Sequence, residues 1–179
     1  MDYQNFECGV PNFFFALREG LKEHKILLPT QADANATGYD VRSAHKGTLV
    51  IDPLEYVKIP LGFRTLCPEG WWFELKPRSS SFAKKYLHCL YGTIDENFEG
   101  ELVLACQYIP PVQADMSFKE YIKSPSNKLE INFGDAIGQI IPVRRRNMNV
   151  LEVSNDEMNL KYSLRNDVRG TGGFGSSDK

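Results

Sequence analysis

The chain is organised around the stretch Gly92-Thr93-Ile94-Asp95-Glu96-Asn97-Phe98-Glu99-Gly100. An apolar run, 86–91, precedes it and an alternating run, 101–106, follows it, so the pattern predicts a turn between two strands. Asp95 follows Ile94 at the strand edge, where a carboxylate can be held rigidly and directed at a water molecule. Taken alone, such a stretch is more often an ordinary acidic hairpin tip, and the case for chemistry depends on residues elsewhere in the chain.

The composition is that of one globular domain. Its 179 residues are 42% hydrophobic and 25% charged, and the net charge of -2 provides no electrostatic case for nucleic-acid binding. The four cysteines lack CxxC spacing, which favours buried thiols in a reducing compartment and no zinc site. The sequence contains neither a signal pattern nor an apolar run of membrane-spanning length. We therefore expect a cytoplasmic protein without a membrane partner. The cysteines are Cys8, Cys67, Cys89 and Cys106.

Short β-prone segments separated by glycine, proline, asparagine and aspartate fill most of the chain. This spacing, without a long helical period, predicts an all-β sandwich or barrel. We expect a β domain at 1–168, with an insertion at about 110–128, and a glycine-rich arm at 169–179 that serves either as a floppy terminus or as a flexible lid. The predicted strands are 12–17, 38–43, 47–51, 57–61, 63–67, 71–76, 87–91, 101–107, 129–132 and 136–142, with one helical turn at 118–122.

Polar residues typical of phosphate recognition recur in four further segments. These are Thr37-Gly38-Tyr39-Asp40-Val41-Arg42-Ser43-Ala44, Lys76-Pro77-Arg78-Ser79-Ser80-Ser81, Gly134-Asp135-Ala136-Ile137-Gly138-Gln139-Ile140-Ile141-Pro142 and the arm from Arg169. Arginines, hydroxyls and exposed backbone N–H groups bind phosphate oxygens, and carboxylates offer both a route to Mg²⁺ and a general base. Each segment is weak evidence by itself, and no Walker-type loop is present.

Together and in this order, the segments resemble the five motifs of the trimeric dUTPase (dUTP diphosphatase) family. The most specific matches are Gly-Tyr-Asp-Val-Arg-Ser-Ala, Pro-Arg-Ser, Gly-Thr-Ile-Asp with an aromatic and a glycine after it, and Arg-Gly-Thr-Gly-Gly-Phe-Gly-Ser. The resemblance implies a distorted jelly-roll-like β-barrel of the β-clip type. It also implies a homotrimer whose active sites are shared between subunits and closed by the arm.

The resemblance further implies hydrolysis of dUTP to dUMP and pyrophosphate with Mg²⁺. Asp95 would activate the water that attacks the α-phosphorus, and Asp40 would support the ion through water. Phe98 stands where the family usually has a tyrosine, whose ring packs on the deoxyribose. The residues implied to hold the phosphate chain are Arg78, Ser79, Ser80 and Gln139.

The arm carries the remaining implied contacts. Arg169 would clamp the γ-phosphate, Phe174 would stack on the uracil, and Gly175 and Ser176 would complete the substrate contacts when the arm closes. Hydrolysis of a phosphoanhydride needs charge neutralisation and an in-line water, which agrees with this set of residues.

Three alternatives stay open. In the dUTPase family, an asparagine that reads the uracil edge usually stands at the position of Cys89. Without that asparagine, either backbone groups read the base or the base preference has moved to dCTP or a modified pyrimidine. Deamination of dCTP on the same fold would need a glutamate where Ala105 stands. A nucleotide-switched binding protein is the third alternative, with the insertion at 110–128 as the surface for a protein partner.

Overall fold

Twelve short strands form the body of the part of the chain that the structure describes. The computed structural model describes residues 10–111, 117–124 and 127–165, and every strand pairing within them is antiparallel. The all-β prediction is confirmed. The strands are β1 (Phe14–Leu17), β2 (Thr30–Gln31), β3 (Tyr39–Arg42), β4 (Thr48–Ile51), β5 (Tyr56–Pro60), β6 (Phe63–Leu66), β7 (Trp71–Pro77), β8 (Leu87–Cys89), β9 (Gly92–Ile94), β10 (Val103–Tyr108), β11 (Leu129–Asn132) and β12 (Ala136–Arg144).

The strands assemble into four sheets around one apolar core. The largest has the order β2-β3-β12-β7-β9, a second has the order β5-β10-β8, and β1-β6 and β4-β11 form two-stranded sheets. Alternation along the strands places one face of each sheet in the core, as in β7, where Phe73 and Leu75 are buried between partly exposed neighbours. The fully buried core side chains include Val41, Ile51, Ile59, Leu61, Phe63, Leu87, Leu104, Ile131 and Ile137.

The central stretch differs from its prediction as one continuous turn. β8 and β10 do pair as a hairpin, but Gly92–Ile94 forms β9, which pairs with β7 in the five-stranded sheet. The chain therefore leaves one sheet, adds an edge strand to another, and returns. The hydrophobic pattern could not reveal this, because alternation identifies a strand without identifying its partner.

Helices are few and short. A 3₁₀ turn covers Lys25–Leu27, α1 covers Ser79–Ala83 and α2 covers Phe118–Lys123, which confirms the helical turn predicted in the insertion. α2 begins with a capping box between Ser117 and Glu120. Among the described residues, no helix is long and apolar enough to cross a membrane.

The chain divides into two compact units after Arg145. The first holds all the strands. The second, described through residue 165, contains α3 (Asn155–Ser163), whose N-terminus is capped by the Ser154 hydroxyl and which buries none of its side chains. The predicted boundary at residue 168 lies outside the described residues.

Candidate active site

A row of polar side chains crosses the middle of the five-stranded sheet. Gln139 on β12 lies opposite Asp40 on β3 and opposite Lys76 on β7. Side chains directly opposite on neighbouring strands share a face and lie within reach of one another. Arg78, just beyond the end of β7, reaches this row: its Nε lies 3.2 Å from Oδ1 of Asp40. The structure thus brings three of the predicted residues together, with Lys76 as a member that the sequence analysis did not assign.

Asp40 and Arg78 form a partly shielded ion pair. The Asp40 side chain is 16% exposed and that of Arg78 is 37% exposed. A carboxylate beside the guanidinium fixes its plane while leaving other N–H groups free of that contact, because arginine carries five donors. The Lys76 ammonium forms an ion pair with Glu74 on the same face of β7. The row therefore holds two cations and two carboxylates near one amide.

Gly38 provides the space in which the Gln139 side chain lies. A Cβ atom at position 38 would sit 2.2 Å from Oε1 of Gln139 and 3.0 Å from its Cδ. Any side chain at this position would displace the amide from the row. In the sequence, Gly38 stands out only as part of a motif, and the close approach of its backbone to Gln139 cannot be read from it.

A β-bulge fixes the start of α1 against β12. The register between β3 and β12 shifts between Ala136 and Gly138, so Ile137 is the extra residue. Its carbonyl accepts a 2.6 Å hydrogen bond from the Ser81 hydroxyl and a 3.4 Å bond from the backbone N–H of Arg78. Ser81 is fully buried. This anchor positions the guanidinium-bearing residue and the two serines that follow it, Ser79 and Ser80, at the edge of the polar row.

Asp95 lies directly after β9 on a turn that is fixed by its neighbours. The backbone N–H of Phe98 donates to the carbonyl of Asp95 at 3.1 Å, which closes the turn. The Glu96 carboxylate accepts a 3.0 Å bond from the N–H of Gly70 and lies 3.3 Å from an Arg145 guanidinium nitrogen. The Asp95 carboxylate itself is exposed. The turn thus holds the predicted base in water on a braced backbone.

An open cleft of 490 Å³ adjoins this carboxylate. Trp72, Thr93, Asp95 and Arg145 are among the residues that line it. Arg145 was assigned no role from the sequence. Its contact with the Asp95 turn depends on the end of β12 passing the loop at Gly70, where the N–H of Arg145 also donates to the Gly70 carbonyl.

Phe98 closes the far side of the same turn. Its ring lies against Gly100, where a Cβ atom would come within 2.6 Å of the ring. The side chain stays 43% exposed and borders a second cleft, of 530 Å³, beside Phe14 and Leu66. An exposed aromatic ring of this kind can pack against a flat ligand group.

The polar row and the Asp95 turn are separate within one chain. Ile94 pairs with Phe73, five residues before Arg78, which corresponds to roughly 17 Å along an extended strand. The structure therefore brings Asp40, Arg78 and Gln139 together and places Asp95 at the other end of β7.

Cys89 lies on the inward face of β8. Leu87 on the same face is fully buried, and Cys89 is partly buried against the core, directly opposite Cys106 on β10. The neighbouring His88 points outward, and its ring meets that of Phe82 at 5.1 Å. Base reading at this position would fall to backbone groups or to a small inward-facing thiol.

The predicted arm residues lie outside the described residues. They are Arg169, Phe174, Gly175 and Ser176. Within the described part of the chain, no group of three or more His, Cys, Asp or Glu side chains is arranged to hold a metal ion directly.

Comparison with known proteins relates most of the chain to one group of enzymes. No protein-family model matches it. The chain is 32% identical over 151 residues to the deoxyuridine 5'-triphosphate nucleotidohydrolase of Finegoldia magna, covering 83% of this chain and 89% of that protein. It is 30% identical over 159 residues to the human mitochondrial protein of the same name, covering 89% of this chain but 53% of the human one.

Solved structures share the fold. The dUTPase of Staphylococcus bacteriophage 80alpha, solved with dUPNHPP, superposes with a TM-score of 0.69 at 23% identity. The match covers 93% of this chain and 98% of the phage chain. At that level of identity the likeness concerns the fold, and it confirms the predicted jelly-roll-like architecture.

Proposed function

The chain belongs to the deoxyuridine 5'-triphosphate nucleotidohydrolase family, and from this membership we propose that it hydrolyses dUTP to dUMP and pyrophosphate. The observation that carries the proposal is the Arg78–Asp40 ion pair beside Gln139, held on a rigid sheet and against a buried bulge. Hydrolysis of a triphosphate depends on positioning and charge stabilisation more than on covalent chemistry, and this arrangement supplies both.

The polar row binds the phosphate chain. The Arg78 guanidinium grips phosphate oxygens through parallel N–H donors, while the Gln139 amide and the hydroxyls of Ser79 and Ser80 add neutral donors. Asp40 keeps the guanidinium oriented through the 3.2 Å ion pair. Because the guanidinium is anchored from both its backbone and its side chain, little ordering is needed when the substrate binds.

Asp95 acts as the general base. Its carboxylate orients a water molecule and accepts a proton from it as the water oxygen attacks the α-phosphorus. The bond between that phosphorus and the bridging oxygen breaks, and pyrophosphate leaves. Phe98 packs its ring on the deoxyribose, which excludes a ribose 2′-hydroxyl. The braces at Glu96 hold the base at a fixed angle to the water.

The residues of the polar row fit a magnesium ion held through water. Mg²⁺ retains several waters and is commonly bound by one or two carboxylates together with substrate phosphates. Asp40 offers one carboxylate at the place where the phosphates bind. When bound, the ion neutralises charge on the phosphate chain.

The functional unit of this proposal is a homotrimer with shared sites. Two observations support it. The polar row and Asp95 stand at opposite ends of β7, so each half-site needs a complement from another copy. Apolar side chains in the second unit, among them Val150 and Leu151, are exposed. In the assembled trimer, Arg169, Phe174, Gly175 and Ser176 close over the nucleotide.

Release of pyrophosphate from dUTP, dCTP, dTTP and UTP, measured side by side with Mg²⁺, tests this function. A strong preference for dUTP is expected. Comparable turnover of dCTP would show that a cytosine nucleotide is also a substrate. It would indicate that the pocket near Cys89 no longer selects uracil. Absence of turnover with all four would overturn the proposed activity. A cytoplasmic location, where free thiols such as Cys67 persist, is part of the proposal.

A second role as a binding protein is favoured by one feature of the insertion. α2 is fixed to the preceding part of the chain, because Tyr121 is buried and its hydroxyl donates to the carbonyl of Pro110. Phe118 on the same helix is nevertheless 62% exposed. An ordered helix that presents an aromatic ring suits a protein partner. Phe118→Ser should abolish capture of a partner that binds the intact protein and should leave dUTP hydrolysis unchanged. Equal capture by both proteins would exclude this surface.

A further inference from the structure

We propose that Cys89 and Cys106 are an oxidisable thiol pair that forms a disulfide between β8 and β10. The proposal has two parts. The bond itself follows from the sheet geometry. Its effect, weaker binding of the nucleotide base, rests on the function proposed above.

The two cysteines are direct cross-strand neighbours. Cys89 on β8 is paired with Cys106 on β10, and both lie on the inward face of the sheet. The N–H of Leu90 donates to the carbonyl of Ala105 at 2.9 Å, so that pair is a hydrogen-bonded one. Because the two kinds of pair alternate along an antiparallel ladder, the cysteines form a non-hydrogen-bonded pair.

This type of pair suits a disulfide. Opposite Cα atoms in non-hydrogen-bonded pairs are about 4.5 Å apart, and disulfides span Cα separations from about 4.4 to 6.8 Å. The bond can therefore close without unpairing the strands.

The two thiols have different roles in the reaction. A hydrogen bond from the Cys106 side chain lowers the pKa of the Cys89 thiol, against an opposing effect of burial. The same hydrogen bond and burial raise the pKa of Cys106. Cys89 is partly exposed, whereas Cys106 is 2% exposed. Cys89 is thus the thiol that reacts with an oxidant, and Cys106 is the one that resolves the product.

A hydroperoxide supplies the oxidising equivalents. The Cys89 thiolate attacks the peroxide oxygen, an S–O bond forms, the O–O bond breaks, and the protonated leaving group departs, with sulfenic acid remaining at Cys89. The Cys106 sulfur then attacks that of Cys89, its proton leaves with the hydroxyl as water, and the S–S bond replaces the S–O bond. Two thiols lose two electrons and two protons, and hydrogen peroxide becomes two waters.

The bond would act on the end of the site that reads the base. β8 leads through two residues into β9, and Asp95 follows β9 directly. Closing the disulfide draws Cys89 towards β10 and removes its thiol. Since the phosphate-binding row lies on another sheet, we expect a rise in KM for dUTP of about fivefold to tenfold with a smaller change in kcat, the pattern of lost ground-state binding.

The test is mass spectrometry of the full chain after exposure to hydrogen peroxide. The protein is alkylated, digested without reduction, and searched for a peptide linked through Cys89 and Cys106 that has lost two hydrogens. We expect this linkage in the wild type and in Cys67→Ser, a matched control with a buried cysteine outside the pair. In Cys106→Ala, which buries no new polar group, Cys89 should stop at a sulfenic acid that dimedone traps. A thiol reductant should reverse the linkage and restore KM.

Two results would overturn the proposal. Cys89 that remains alkylated after peroxide treatment, or that is found linked to Cys8 or Cys67, would exclude the pair. A quantitative Cys89–Cys106 linkage with unchanged KM would exclude the regulatory effect. Because the linkage is read by mass, it can be scored even if none of the four nucleotides is hydrolysed, so failure of this proposal and failure of the proposed function are distinguishable.

Discussion

The two ends of β7 are built in different ways. At the Arg78 end, the site rests on buried and close-packed supports: the Ser81 hydroxyl is fully buried against the bulge, and Gln139 lies directly on the backbone of Gly38. At the Asp95 end, the supports are partly exposed charges, since the Arg145 side chain that pairs with Glu96 is 54% exposed. Removing one partner of a buried hydrogen bond lowers the free energy of unfolding more than removing one partner of an exposed ion pair does.

The difference agrees with the tasks proposed for the two ends. A group that holds a highly charged chain must resist displacement, whereas a base needs contact with water and a fixed direction. Substitutions at the two ends should therefore separate binding from turnover.

Asp95→Asn should have the largest effect. It removes the proton acceptor and keeps the size of the side chain, so kcat should fall by about a thousandfold or more. The dissociation constant of a non-hydrolysable dUTP analogue, measured by calorimetry, should stay within about twofold of the wild type. Turnover near the wild-type rate would remove Asp95 from the role of base.

Gly38→Ala should damage binding at the other end. The new Cβ displaces the Gln139 amide, and loss of a hydrogen bond to a charged group is equivalent to about tenfold to a hundredfold in KM. A double-mutant cycle with Gln139→Ala provides the control. If Gly38 acts through Gln139, the double mutant should be no worse than Gln139→Ala alone, whereas additive losses would contradict the positioning role.

Ser81→Ala should lower stability and loosen Arg78. The Ile137 carbonyl loses a buried donor, which should reduce the free energy of unfolding by about 1–3 kcal/mol. Urea denaturation at fixed protein concentration measures this loss of stability. The KM for dUTP should also rise severalfold. Ser163→Ala, which removes an exposed hydroxyl that donates to the Leu160 carbonyl, is the matched control and should change stability little. Equal losses in both variants would refute the anchor.

Glu96→Gln should have the smallest effect. The amide oxygen can still accept from the N–H of Gly70, but the ion pair with Arg145 is lost, and exposed pairs contribute about 0.2–1 kcal/mol. We expect kcat to fall less than about fivefold, with the difference disappearing at about 1 M salt. Glu96→Ala loses both contacts and should be more impaired. A salt-independent difference for Glu96→Gln would contradict the electrostatic role of the brace.

Much of the fold was predictable because alternation and turn residues indicate strands directly. β11 was predicted with its observed bounds, and β3, β4, β6 and β7 within two residues. β2 was missed because two residues carry no period. α3 was missed because a helix that is exposed on every side shows no apolar face from which to recognise it.

The candidate site residues could be proposed from the sequence, whereas their arrangement could not. Asp40, Arg78 and Gln139 come together because β3, β12 and β7 are neighbours in one sheet, and neighbours in a sheet cannot be read from local pattern. Ser81 looked like its two serine neighbours, and only burial distinguishes it. The distance between Asp95 and Arg78 depends on the pairing of β9 with β7, which no feature of the stretch itself indicates.

The extra residue at the β-bulge also has a consequence at the level of the gene. Side chains alternate along β12, and Ile137 shifts that alternation so that Gln139 points to the polar row while Ile140 points to the core. A three-base deletion of codon 137 would keep the reading frame and the composition almost intact. It would nevertheless remove a fully buried side chain and the carbonyl that accepts from the Ser81 hydroxyl and from the backbone N–H of Arg78, while the pairing on both sides of the bulge could continue without interruption. The loss of a single codon in this strand would therefore release the start of α1 without disturbing the reading frame or the order of strands in the sheet.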